Sequence, residues 1–158
     1  MVSAPLKSVS PDLETKDRLR LWVRLLRAAR VIENELRNRL NNQFSTTLPR
    51  FDVMAALYRQ PDGMLMSDLS RFLLVSNGNV TGIVDRLVDD GCVQRARRDG
   101  DRRTSMVRLT PAGIELFETM AAEHELWIDE LLHAVSADDA RALAGMLKTF
   151  RSEWEDHH

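Results

Sequence analysis

The feature that most constrains the fold is a change of hydrophobic period at Gly91. Before it, "MSDLSRFLLV" carries Met66, Leu69, Leu73 and Leu74 at helical spacing. "SNGNVTGIVDRLVDD" then carries Val80, Ile83, Val84, Leu87 and Val88 in the same way. Almost nothing separates the two stretches, so they form short helices joined by a tight turn. Ser67 and Ser76 stand where N-caps would, and Gly91 stands where a helix ends on glycine. After Gly91, "CVQRARR" and "TSMVRLT" alternate in part around "DGDR", and Asp99-Gly100 is a hairpin signal. Two abutting helices followed by a hairpin are the layout of a helix-turn-helix with a wing, whose second helix enters the DNA major groove.

Helices flank this centre. Leu19, Trp22, Leu25, Leu26, Ala29, Ile32, Leu36 and Leu40 give residues 13–43 a helical stripe. "STTLP" interrupts it, and Pro49 suits the start of the next helix, "RFDVMAALYRQ", which ends at the turn signal "PDG". Thr110-Pro111 reads as N-cap and first residue of a long helix striped by Ile114, Phe117, Met120, Ala121, His124, Trp127, Ile128 and Leu131. Ser136 and Asp139 are placed like a capping pair for a last helix lined by Leu143, Met146, Leu147, Phe150 and Trp154. The expected fold is mainly α with one small β-hairpin. Residues 1–12 read as a loose tail and 13–158 as one domain, with the winged helix-turn-helix at about 48–110.

Charge narrows the partners. The net charge of −2 hides a gradient. Residues 1–50 hold ten Lys/Arg against five Asp/Glu, residues 51–110 nine against eight, and residues 111–158 three against eleven. Nucleic acid is therefore expected to meet the first two thirds and not the acidic end. No apolar run approaches the roughly 20 residues of a membrane-spanning helix, and "MVSAPLKSVSPDLETK" lacks the apolar core of a signal peptide. Cys92 stands alone, so no internal disulfide framework forms. These features fit a cytoplasmic protein without membrane contact.

On a helical wheel at about 100° per residue, Val80, Ile83, Val84 and Leu87 cluster on one side. Gly78, Asn79, Gly82, Asp85 and Arg86 lie opposite, with Thr81 at the margin. Each helical glycine costs roughly 1 kcal/mol against alanine. Facing away from the core, the pair serves a surface that must approach another backbone closely. Ser76, Asn77, Asn79 and Thr81 offer donors and acceptors to base edges, and Arg86 adds charge. The alternative is an exposed helix with incidental glycines. Arg95, Arg97, Arg98, Arg102, Arg103 and Arg108 crowd the hairpin, where they would meet phosphates or the minor groove. Asp99 and Asp101 relieve their repulsion, and Asp101 is expected to pair with a strand arginine and stiffen the tip. The alternative here is a solvated charged hairpin.

"DRLVDDGCVQRARRDGDRRTSMVRLTPAG", Asp85 to Gly113, resembles the signature of MarR-type transcriptional regulators. Asp101-Arg102-Arg103 stands at the wing position, and Leu109-Thr110-Pro111-Ala112-Gly113 stands at the Leu-Thr-x-x-Gly helix start. The helix order and the length of the chain agree with the resemblance. It implies a homodimer in which the first and last helices intertwine, here through Leu13, Leu19, Leu143, Leu147, Phe150 and Trp154. Two winged lobes would then meet a pseudo-palindromic operator in double-stranded DNA. An apolar first helix and two apolar last helices independently offer more stripe than one small lobe covers, although intrachain packing takes part of it. "TTLPRFDVMAAL", Thr46 to Leu57, is similar to a subgroup that controls aromatic-acid catabolism. The resemblance implies a repressor released by a small aromatic acid or its coenzyme A thioester. The arginine-rich first helix suits a phosphate-bearing ligand, and Trp22, Arg50, Phe51, Met54 and Met66 are the effector-binding candidates.

Other readings keep less of the sequence. A redox-sensing regulator would use Cys92, but that residue follows the glycine turn, where a small buried hydrophobe belongs. A winged-helix protein-interaction module would not need six arginines on its wing. No catalytic triad spacing, phosphate loop or zinc cluster appears, and His124, His133, His157 and His158 are scattered. The chain is accordingly expected to be neither an enzyme nor a holder of a metal or cofactor.

Overall fold

The computed structural model describes residues 11–73, 77–97 and 105–157. Its elements, in chain order, are α1 (Pro11–Phe44), α2 (Leu48–Tyr58), β1 (Met64–Leu65), α3 (Met66–Leu73), α4 (Asn77–Asp89), β2 (Val93–Arg97), β3 (Ser105–Leu109), α5 (Pro111–Leu131) and α6 (Ala137–His157). Mainly helical architecture with a small antiparallel sheet is what the periodicities require. Two compact units divide the chain, one up to Phe117 and one from Glu118.

In the first unit the turns have local causes. Ser45 ends α1 in the left-handed region, at φ 51°, and its N–H donates to the Asn41 carbonyl at 3.0 Å. Thr47 caps α2 by accepting from the Arg50 N–H at 3.3 Å, with proline in the first turn. Gly91, at φ 75°, closes α4: its N–H reaches the Val88 carbonyl, and the Cys92 N–H reaches that of Leu87, both at 2.9 Å. Thr110 caps α5, accepting from the Gly113 N–H at 3.0 Å while its hydroxyl donates to the Gly91 carbonyl at 2.6 Å. A Cβ on Gly113 would lie 2.0 Å from the Cys92 carbonyl oxygen, so only glycine lets α5 start against this turn.

The sheet is ordered β1-β3-β2 and is antiparallel throughout. Val93 faces Leu109 and Arg97 faces Ser105, which sets the register of the wing. The third strand, β1, is a departure from the sequence reading; two residues are too few to show a period. It also corrects Ser67, which lies inside α3 rather than capping it, because the chain passes from Leu65 directly into the helix at Met66. The core of this unit is built from Leu40, Val53, Leu57, Leu69, Val80, Val84, Leu87 and Val107, all at 1% exposure or less. Phe51 and Tyr58 both pack on Phe117, with ring centroids 5.4 and 4.8 Å away. The Asp52 carboxyl of α2 is raised above its ordinary range by burial and then by the Glu33 charge. Its ionisation therefore weighs against folding, and the penalty fades as pH falls through that raised value.

The α1 stripe is only partly intrachain core. Leu36 and Leu40 are buried, whereas Leu19, Trp22 and Leu25 are exposed. In the second unit Met120 and Trp127 are buried. Burial holds His124 below the ordinary histidine range, so charging this group weighs against folding, a cost that sets in as pH falls below the unfolded value and is complete below the lowered one. Ser136 caps α6: its hydroxyl donates to the Asp139 carboxylate at 2.7 Å and accepts from the Asp139 N–H at 3.1 Å. Leu143, Met146, Leu147 and Phe150 of α6 are exposed. Among the described residues, no helix is long and apolar enough to cross a membrane.

Candidate nucleic-acid interface

Alternation of buried and open residues sets the face of α4. Val80 and Val84 are fully buried and Leu87 nearly so, which fixes the helix on α2 and α3. Asn79, Thr81, Gly82 and Arg86 are thereby turned outward. A Cβ on Gly82 would meet no atom of the described residues within 4 Å, so nothing among them explains that glycine. Ile83, expected on the inner stripe, is only partly covered and forms a wall of the clefts beside the helix. Asn77 and Gly78 belong to the first turn of α4.

The wing begins beside this helix. Arg95 of β2 forms an ion pair with Asp85 of α4 at 2.5 Å, tying the strand to the helix. Its charge is thus shared with the protein rather than wholly presented outward. Arg97 ends β2. Ser76, Arg98, Asp99, Asp101, Arg102 and Arg103 lie outside the described residues. Cys92 is buried and free, with its Sγ 3.9 Å from the Asp90 carbonyl oxygen.

Two open clefts flank α4. One, of about 320 Å³, is lined by Thr47, Arg50, Asn79, Gly82, Ile83 and Arg86. The other, of about 540 Å³, is lined by Arg37, Asn38, Asn41, Thr46, Thr47, Pro49, Asn79 and Ile83. Arg50 pairs with Asp90 across 40 positions of sequence, and its buried Nε has no hydrogen-bond partner among the described residues. The other effector candidates do not line these clefts. Phe51 and Met54 are core, Met66 is half-buried at the start of α3, and Trp22 is 57% exposed on α1. The sequence reading did not single out Arg37, Asn38, Asn41, Thr46 and Thr47. The cap signal of Thr47, a threonine just ahead of Pro49 at a helix start, was legible, but the convergence of α1 with α4 was not. Among the described residues no group of histidine, cysteine or carboxylate side chains is arranged to hold a metal.

An outward helix with an open glycine, a preceding short helix packed across it and a β-wing together define a winged helix-turn-helix protein. The family model described as "MarR family" matches residues 44–104. The chain is 30% identical over 134 residues to the HTH-type transcriptional regulator MhqR of Bacillus subtilis, covering 85% of this chain and 91% of that one. It is 33% identical to a MarR family transcriptional regulator of known structure from Silicibacter pomeroyi, with a TM-score of 0.74 over 89% of this chain and 97% of that chain. A mutant MarR from E. coli complexed with operator DNA has the same fold, at 24% identity and a TM-score of 0.74, over 85% of this chain and 95% of that one. The chain belongs to the MarR family of DNA-binding transcriptional regulators.

Proposed function

We propose that this protein is a homodimeric repressor that grips a pseudo-palindromic operator and is released by a small aromatic acid or its coenzyme A thioester. The observation that carries the DNA reading is the bare outer face of α4, where Gly82 opens to solvent between polar and cationic neighbours. A helix in the major groove needs that clearance to bring Asn79, Thr81 and Arg86 to base edges and backbone. Ser76, Asn77 and Gly78 would complete the reading edge. On the wing, Arg95, Arg97, Arg98, Arg102 and Arg103 would meet phosphates or the minor groove, with Asp99 and Asp101 stiffening the tip.

Dimerisation is supported by the apolar residues that α1 and α6 each leave exposed, among them Leu13, Leu19, Leu143, Leu147 and Phe150. In the full interface Trp154 would join them. Arg50 supports an anionic effector, since its buried Nε is unsatisfied and its guanidinium lines a cleft beside α4. A carboxylate drawing Arg50 from Asp90 would loosen the tie between α2 and the end of α4. Ile83, the apolar residue lining the same cleft, would contact its ring; Trp22, Phe51, Met54 and Met66 do not line it.

The test is a mobility-shift titration of the full chain on the DNA upstream of its own gene, over a range of salt. The expected result is a salt-sensitive shift, reversed by one member of a panel of aromatic acids and their thioesters. Absence of any shift at low salt removes the DNA reading, and a shift that no panel member reverses removes the effector.

A further inference from the structure

Resting on the DNA-binding reading above, we propose that the end of α1 is a second DNA-contacting element. In this proposal Arg37, Asn38 and Asn41, with Thr47 at the α2 cap, seat a phosphodiester of the operator strand that runs beside α4. The two clefts flanking α4 share Thr47, Asn79 and Ile83, so they form one trough running from the last turns of α1 to Arg86. Three arginines line it, Arg37, Arg50 and Arg86, and among the described lining residues there is no carboxylate. The charge of Arg50 is already met by Asp90. Arg37 is different: it bonds the neutral Asn34 amide oxygen at 3.1 Å and makes no ion pair among the described residues. Its cation lines the trough with no ion-pair partner among the described residues.

Geometry identifies the occupant. A helix with its side chains is about 10–12 Å across, and the major groove is about 12 Å wide. A helix seated there brings a sugar-phosphate strand against each flank. The trough shares the Asn79 and Ile83 wall with α4, so a strand on that flank passes over it. The Asn38 and Asn41 amides and the Thr46 and Thr47 hydroxyls supply neutral donors to phosphate oxygens, and the N-terminus of α2 adds its partial positive charge. A contact of this kind fixes register and strengthens binding to every sequence equally.

The experiment uses fluorescence anisotropy of the full chain, titrated over salt, on a random-sequence duplex and on the duplex upstream of its own gene. Arg37→Ala is expected to weaken binding to both duplexes by the same factor, roughly three- to tenfold, and to flatten the slope of log K against log salt by about one. Asn38→Ala with Asn41→Ala is expected to weaken both without changing the slope. Arg37→Lys keeps the slope, which separates loss of charge from loss of fold. Arg27→Ala, about 15 Å farther along α1 and beyond a Debye length of about 10 Å, leaves the slope unchanged. An Arg37→Ala chain that folds and keeps the wild-type slope, or weakens binding no more than Arg27→Ala, overturns the proposal. So does an Arg37→Ala chain altered only in its response to small anions, which would make the trough a ligand site. A wild-type chain that binds neither duplex overturns the DNA-binding reading itself, and the proposal with it.

Discussion

Two glycines show how one residue type answers to two demands. Gly113 is required by the fold: its missing Cβ leaves room for the Cys92 carbonyl where α5 begins. Gly82 is required by nothing in the described residues. Opposite outcomes are therefore expected from the same substitution. Gly113→Ala should destabilise by about 3 kcal/mol or prevent folding, since backbone must move. Gly82→Ala should stabilise by about 1 kcal/mol through helix propensity while weakening operator binding, because the methyl group stands where the groove floor would approach. Thermal melts and anisotropy on the same samples check both. A Gly82→Ala chain that binds as tightly as wild type would remove the close approach of α4 to DNA. The glycine-bearing Leu-Thr-x-x-Gly pattern was visible in sequence, but its reason was not, since Cys92 and Gly113 meet only when the hairpin has closed.

At the scale of elements, α4 and the wing behave as a coupled pair through Asp85 and Arg95. Both side chains are substantially solvated, so the pair is worth only about 0.2–1 kcal/mol to stability. Its larger effect is on charge presentation. Asp85→Asn removes a carboxylate from the outer face and frees Arg95. Operator affinity at low salt should rise and the salt slope should steepen by about one, with a small loss of thermal stability. An unchanged slope would mean that Arg95 does not reach phosphate even when released. The sequence placed Asp85 outward on α4 and Arg95 on the hairpin, yet it gave no register between helix and strand. It also read α3 as beginning with a cap at Ser67, because a two-residue strand leaves no periodic trace.

For the whole molecule, the apolar residues left uncovered are as informative as the core. Leu19 on α1 and Met146 and Phe150 on α6 are each at least 60% exposed, which is costly for an isolated chain in water. The full protein is expected to sediment at twice its 18.1 kDa chain mass. Leu147→Glu with Phe150→Glu should reduce it to the single-chain mass and weaken operator binding sharply, since two half-sites are then no longer held together. A wild-type chain sedimenting at 18.1 kDa would overturn the dimer. The acidic last third of the sequence, poor in cations from residue 111 onward, is expected to make no contact with DNA phosphates.

By itself the sequence determined what depends on neighbours along the chain. The helical periods, the caps at Thr110 and Ser136, the glycine stop at Gly91 and the alternation that makes the wing are all short-range consequences of side-chain shape and backbone hydrogen bonding. Tertiary structure decided what depends on meetings between distant segments. Arg50 finds Asp90 40 positions away, β1 joins β3, and the end of α1 comes to share a trough with α4. Burial separates Leu40 from Trp22 on the same stripe, because only the last turns of α1 are covered within the lobe. A local pattern can mark a face as apolar or charged, but only packing determines which faces are covered and which remain for a partner.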